Sequence, residues 1–124
     1  MDWRVSLHKE FKMKKIEAIV RPIKVGDVCD ALGKVGHPGL TITEIEGHGK
    51  QRGVEQQFHG KTYKVELITK TKIEVVVKDQ DVDKTIQAIR EAAITGKVGD
   101  GKIFIYPIEN ALRIRTAEQG ELAL

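Results

Sequence analysis

What most constrains the fold of this chain is the order in which two hydrophobic periods follow one another. Residues 15–21 alternate, with Ile16, Ala18 and Val20 on one side of an extended strand that Pro22 stops. The period then lengthens. Val25, Val28, Cys29, Leu32 and Val35 recur at spacings of three and four, the apolar stripe of a helix ending at Gly36 and the Pro38-Gly39 turn. A second strand is expected over 40–46, and strand patterns return over 62–68 and, past Thr69-Lys70-Thr71, over 72–78. A second helix carries Val82, Ile86, Ile89 and Ala93 behind the acidic starters Asp79 and Asp81, and Ile103-Phe104-Ile105-Tyr106 reads as a short buried strand. The order β-α-β-β-α-β specifies an α+β, ferredoxin-like sandwich, an antiparallel sheet with both helices on one face. Because Val75, Val77, Ile103 and Ile105 alternate with Val76 and Phe104, both sides of the central strands are expected to be apolar. The helix-free side should then be covered by another copy in a closed homo-oligomer.

At 124 residues the chain is one domain, and its sites should be shallow clefts or lie between subunits. Its 40% hydrophobic and 31% charged residues are those of a soluble protein, and no apolar run is long enough to cross a bilayer, so a cytoplasmic location is expected. The single cysteine, Cys29, excludes an internal disulfide and sits on a helical stripe, where a packed thiol is the simplest reading. A net charge of +3 with 5% aromatics offers neither a phosphate-tracking groove nor a base-stacking platform, which argues against nucleic acid. Residues 1–12 lack the plan of a signal peptide and precede a clean strand start; they are read as an appendage or tail, leaving 13–124 as the folded domain.

Two stretches break the pattern. The first, Thr95-Gly96-Lys97-Val98-Gly99-Asp100-Gly101-Lys102, lies between helix and strand with three glycines and two lysines. Backbone without Cβ atoms approaches an anion closely, and a lysine neutralises it, so backbone amides and Lys102 could hold phosphate without a helix dipole. The bland reading is a helix C′ glycine followed by an ordinary turn. Further on, Ala111-Leu112-Arg113-Ile114-Arg115-Thr116 alternates, so a strand here would aim Arg113 and Arg115 from one face, a fork for a polyphosphate. The second stretch, 47–61, has four glycines, many polar groups and no usable period, and is expected to be a long functional loop. His37, His48 and His59 share no metal-ligand spacing.

From Met13 to Leu124 the chain resembles the PII nitrogen-regulatory signal proteins. The resemblance rests on Lys14-Lys15-Ile16-Glu17-Ala18-Ile19-Val20-Arg21-Pro22, on Thr41-Ile42-Thr43-Glu44-Ile45-Glu46-Gly47-His48-Gly49, on the glycine stretch through Phe104, and on Arg113-Ile114-Arg115-Thr116. It implies a homotrimer whose three inter-subunit clefts bind ATP or ADP, each beside a long T-loop at about 47–64. By the resemblance, Gly99, Asp100, Gly101, Lys102, Arg113 and Arg115 match the phosphate-binding positions, and Thr41, Gly49, Lys50, Gln51 and Val76 line the rest of the nucleotide site. Gln51 matches the glutamine that joins ATP phosphates and 2-oxoglutarate around Mg²⁺, a cation that takes phosphate oxygens readily. Lys70, with Gly99, matches the 2-oxoglutarate site, the lysine facing the distal carboxylate. Tyr63 falls where many members carry a uridylylated or adenylylated tyrosine, and Arg52 where the T-loop reaches a partner. Phe58 replaces a second loop tyrosine, Lys61 a phosphorylated serine and Thr69 a proline, and Lys50-Gln51-Arg52 swaps the usual flanking arginine and lysine.

The implied function is to sense ATP, ADP and 2-oxoglutarate and pass their occupancy to the T-loop, not to catalyse a reaction. The implied partners are an ammonium transporter, glutamine synthetase or its regulatory enzymes, and N-acetylglutamate kinase, with a membrane met only through the transporter. Two other classes compete. A small phosphotransferase or ATPase would need a base, a Walker lysine and a metal-holding acid beside the glycine loop, and none is evident. A ferredoxin-like nucleic-acid module would need an aromatic-rich strand, which is lacking too.

Overall fold

A computed structural model describes the backbone over residues 12–37, 39–58 and 61–124, and the side chains over 12–37, 39–46 and 68–124. Four strands and two α-helices follow in the expected order: β1 (Met13–Val20), α1 (Val25–Lys34), β2 (Thr41–Phe58), β3 (Lys61–Lys78), α2 (Val82–Ala93) and β4 (Lys102–Ile108). Short 3-10 turns introduce each helix, over Pro22–Lys24 and Asp79–Asp81, and another, Gly120–Ala123, closes the described chain. The sheet order is β2-β3-β1-β4, with every neighbouring pair antiparallel. Pro107 lies in β4, an edge strand paired only with β1, where a missing N–H is tolerated.

One cluster of side chains holds the helices to the sheet. Ile16, Ala18 and Val20 of β1 and Ile73, Val75 and Val77 of β3 meet Val28 and Leu32 of α1 and Ile89 and Ala93 of α2, all buried. Each such Leu, Ile or Val stabilises the fold by roughly 1.5–3 kcal/mol. Cys29 is half-buried, and Thr85, fully buried, donates its hydroxyl to the Asp81 carbonyl at 2.7 Å.

Three expectations are corrected. The segment 47–58 is not an unpaired loop. β2 and β3 are each 18 residues long, and β3 is one strand where two patterns, 62–68 and 72–78, were expected. Backbone pairing runs on from Ile45↔Lys70 to Phe58↔Lys61, while β1 leaves β3 at Val20↔Thr71, so this part is a two-stranded ribbon projecting from the sheet. Its ladder is satisfied by backbone groups, which any sequence carries, so side-chain periodicity gave no sign of it. His59 and Gly60, between the strands, lie outside the described residues, as do residues 1–11 of the expected appendage.

The second correction concerns Arg113 and Arg115. No strand forms there: Leu112 makes a single bridge to Gln119, and a turn is closed by Arg113 N–H to Glu118 at 2.9 Å and Ala117 N–H to Arg113 at 2.8 Å. Ala117 takes φ 60°, and Ile114, which alternation would bury, is 96% exposed. The third concerns the helix-free face. By register it carries Lys15, Glu17 and Ile19 of β1, Lys72, Glu74 and Val76 of β3, and Lys102, Phe104 and Tyr106 of β4. Lys15 and Lys72 reach Glu74 at 3.3 and 3.6 Å, the Tyr106 hydroxyl donates to Glu17 at 2.9 Å, and the Lys15 ammonium lies 4.5 Å from the Tyr106 ring centroid. That face is a charged lattice with apolar residues among it, because long lysine and glutamate chains fill positions that β-branched neighbours seemed to dominate.

Candidate functional site

The glycine stretch is a braced loop. Helix α2 ends at Ala93, and Gly96, Gly99 and Gly101 take φ of 83°, 102° and 102°. The Asp100 carboxylate turns back to accept from the Thr95 N–H and Gly96 N–H, both at 2.9 Å, and from the Thr95 hydroxyl at 2.5 Å. The bonds from Thr95, with those from Gly96 and Arg21, hold its carboxyl well below the usual carboxylate range. Asp100 is therefore a staple, and what it offers a ligand is its main chain. At Gly101 an added Cβ would sit 1.7 Å from the Ile19 carbonyl oxygen, so the backbone approach to β1 permits only glycine.

Two cations converge on this loop. Arg21, at the end of β1, donates through Nη2 to the Val98 carbonyl at 2.8 Å and pairs through Nε with Asp100 at 3.3 Å. Lys70, on β3 where the ribbon leaves the sheet, donates its ammonium to the Gly99 carbonyl. Burial, and after it the positive charge of Arg21, pushes the Lys70 ammonium below the ordinary lysine value. Lys70 and Gly99, expected together, are in contact. Arg21 is the residue that sequence reasoning missed; its position just before Pro22, where extended backbone is favoured, was the available signal.

Lys102 opens β4 on the helix-free face and is exposed, without an ion-pair partner among the described residues. Thr41 and Val76 line a cavity of about 730 Å³ where β3 runs past the start of β2, together with Lys15, His37, Asp81 and Leu124. On β1 the partners of Val76 and Lys102 are Lys15 and Ile19, so these two residues, expected at one nucleotide site, lie about 13 Å apart on one face. Arg113 and Arg115 are not beside Lys102. They follow the far end of β4, which is itself about 20 Å long, and Arg113 is engaged by Glu118 Oε1 at 3.3 Å and the Leu124 backbone oxygen at 3.0 Å.

Gly49, Lys50, Gln51 and Arg52 lie out along the ribbon. The pairing passes from Lys50↔Val65 directly to Glu55↔Lys64, so residues 51–54 stand opposite no partner. Gln51 is six residues beyond Ile45, the partner of Lys70, about 20 Å along the strand. Tyr63 pairs with Gln56 near the ribbon's end. The side chains of these five residues lie outside the described ones. Among the described residues no group of three His, Cys, Asp or Glu could hold a metal ion. A Mg²⁺ here would have to arrive with phosphates, which supply the oxygens it prefers, and an amide oxygen such as that of Gln51 fits such a set.

These features define a structural class: a ferredoxin-like sheet with a braced glycine loop at one end and a long β2–β3 ribbon. Residues 13–118 match the family model described as nitrogen regulatory protein P-II. The chain is 50% identical over 112 residues to the nitrogen regulatory protein P-II of Pasteurella multocida, covering 90% of this chain and all of that protein. It is 51% identical over 112 residues, with the same coverage, to that of Haemophilus influenzae. Among solved structures, the B. subtilis GlnK–ATP complex aligns with a TM-score of 0.78 at 34% identity, covering 94% of this chain and 99% of that one. Arabidopsis thaliana PII bound to citrate aligns at 0.74 and 38%, covering 92% and 91%. The chain belongs to the P-II family of nitrogen regulatory proteins.

Proposed function

We propose that this chain is a non-catalytic sensor that binds ATP or ADP together with 2-oxoglutarate and reports their occupancy through the β2–β3 ribbon. The observation that carries the reading is the meeting of Lys70 with the Gly99 carbonyl where ribbon and glycine loop join the sheet. An ammonium there faces the place where a ligand carboxylate would lie beside a phosphate-binding loop. The ATP in the related GlnK complex supports the nucleotide, and the citrate in the plant protein supports a carboxylate-bearing effector.

Lys102 and the loop amides would hold phosphate, with Thr41 and Val76 at the other end of the nucleotide. Arg113 and Arg115 are too far from Lys102 to join it within one protomer, which favours a site completed by a neighbouring copy in a homotrimer. Gln51 stands about 20 Å along the ribbon from the level of Lys70, so completing a Mg²⁺ site requires the ribbon to fold back between Ile45 and Gln51, at the expense of the pairing from Glu46 to Lys50. The ribbon is then the moving part, and Arg52 and Tyr63 ride on it toward an ammonium transporter, glutamine synthetase or its regulatory enzymes, N-acetylglutamate kinase or a tyrosine-modifying enzyme. On this reading the protein works in the cytoplasm and meets the membrane only at the transporter.

Calorimetry tests the assignment. Lys102→Ala and Arg113→Ala should each weaken ATP by about tenfold to a hundredfold, the loss of one charge-assisted contact of about 1.5–3 kcal/mol. Lys70→Ala should spare ATP and abolish most 2-oxoglutarate binding in the presence of Mg-ATP. Unchanged ATP binding in both of the first two variants would move the site elsewhere.

A further inference from the structure

The cavity that Thr41 and Val76 line takes part of its wall from the segment after β4. Leu124, just past the Gly120–Ala123 turn, lines that cavity beside Lys15, His37, Thr41 and Val76. Its backbone oxygen accepts from Arg113 Nη2 at 3.0 Å, while Nη1 of the same guanidinium reaches Glu118 Oε1 at 3.3 Å. The approach to Leu124 is fastened as well. The Gly120 N–H donates to the Ala111 carbonyl and to Asn110 Oδ1, both at 3.0 Å, and Leu112 bridges to Gln119. One residue therefore contacts both an arginine assigned to phosphate and the cavity assigned to the far end of the nucleotide. The contact is shallow, since Leu124 stays 42% exposed.

We infer that the segment from Gly120 to Leu124 is a self-latch on the nucleotide site; this rests on the nucleotide reading above. The donors that Arg113 gives to the Glu118 carboxylate and the Leu124 backbone oxygen are those it would give to a phosphate, and it cannot give them twice. A nucleoside di- or triphosphate held by Arg113 needs that guanidinium freed from Glu118 and from the Leu124 backbone oxygen, and one seated against Thr41 and Val76 meets the Leu124 side chain in the cavity wall. Its apparent affinity is then the intrinsic one reduced by the fraction of time the latch is open. Linkage makes the effect reciprocal, so bound nucleotide releases the segment.

Titration of ATP into the unaltered protein and into Leu124→Ser and Glu118→Gln variants tests the latch. Both changes lie outside the proposed binding residues. Each should tighten ATP about fivefold or more, and ATP should speed hydrogen exchange at the Ala123 and Leu124 amides of the unaltered protein. Glu118 also accepts from the Thr116 hydroxyl at 2.8 Å, so Leu124→Ser decides if Glu118→Gln unfolds the turn. Equal or weaker ATP affinity in Leu124→Ser, or exchange slowed by ATP at these amides, overturns the latch while leaving the nucleotide site standing. Failure of the unaltered protein and both variants to bind ATP removes the site reading, and the latch falls with it.

Discussion

Gly101 shows how strictly one residue can be chosen by backbone approach. With φ of 102° and the Ile19 carbonyl 1.7 Å from where a Cβ would stand, Gly101→Ala must open the join of loop and β1. It should cost at least about 2 kcal/mol, and thermal unfolding of the variant checks this. Gly26, where a Cβ would meet nothing within 4 Å, is the control that should tolerate alanine. His37 makes a different prediction. Its Nε2 lies 3.0 Å from Thr85 Oγ1, whose own proton goes to the Asp81 carbonyl, so the ring is the donor. Burial pushes His37 below its ordinary value of 6.5, Asp81 opposing and Lys84 reinforcing the shift. The unfolded chain therefore binds more protons in this window, and stability is lost as pH falls through about 6.5 and below. Melting temperature should drop between about pH 7 and pH 5, and His37→Asn should flatten that slope; an unchanged slope would assign it to other groups. Asp100 acts in a separate window. Its depressed carboxyl contributes stability above its unfolded value of 3.8 that disappears only at still lower pH.

At the scale of elements, the β2–β3 ribbon behaves unlike the rest of the sheet. Beyond Ile45↔Lys70 it has two strands only, a construction of marginal stability in water, and its ladder is broken at residues 51–54. It should be the first element to open. Limited trypsin digestion is expected to cut at Lys50 and Arg52, beside the break, before any site in α1, α2 or β1. ATP with 2-oxoglutarate should slow those two cuts if the ribbon folds back over the glycine loop. Sparing of the ribbon while the helices are cut would mean that it is packed as firmly as the core and cannot be the moving part.

For the whole molecule, the helix-free face decides the expected assembly. A face on which Lys15 and Lys72 pair with Glu74 and Glu17 accepts from Tyr106, with Val76, Phe104 and Ile19 among them, tolerates burial against a copy because these charges already have partners. The separation of Lys102 from Arg113 within one chain points the same way. Light scattering at micromolar concentration should give a particle of three times the 13.9 kDa chain, and a stable monomer would remove the inter-subunit site.

By itself the sequence determined the order of strands and helices, since the switch between periods of two and 3.6 is a local property of where side chains point. It also determined the family, carried by residue runs such as Gly99-Asp100-Gly101-Lys102. The resemblance put Lys70 and Gly99 at one site, but the direct bond from the Lys70 ammonium to the Gly99 carbonyl, the bracing of the loop by Arg21 and the seating of Leu124 beside Thr41 and Val76 were decided only by tertiary structure. Each joins residues 29 or more apart along the chain, and no local period encodes which distant element will arrive. The ribbon escaped for the opposite reason. Backbone pairing holds it, without the buried side chains that make a strand visible in sequence. Arg113 was misplaced because alternation implies a strand only where a partner strand exists. Here the chain turned back on Glu118 instead, for want of a neighbour to pair with.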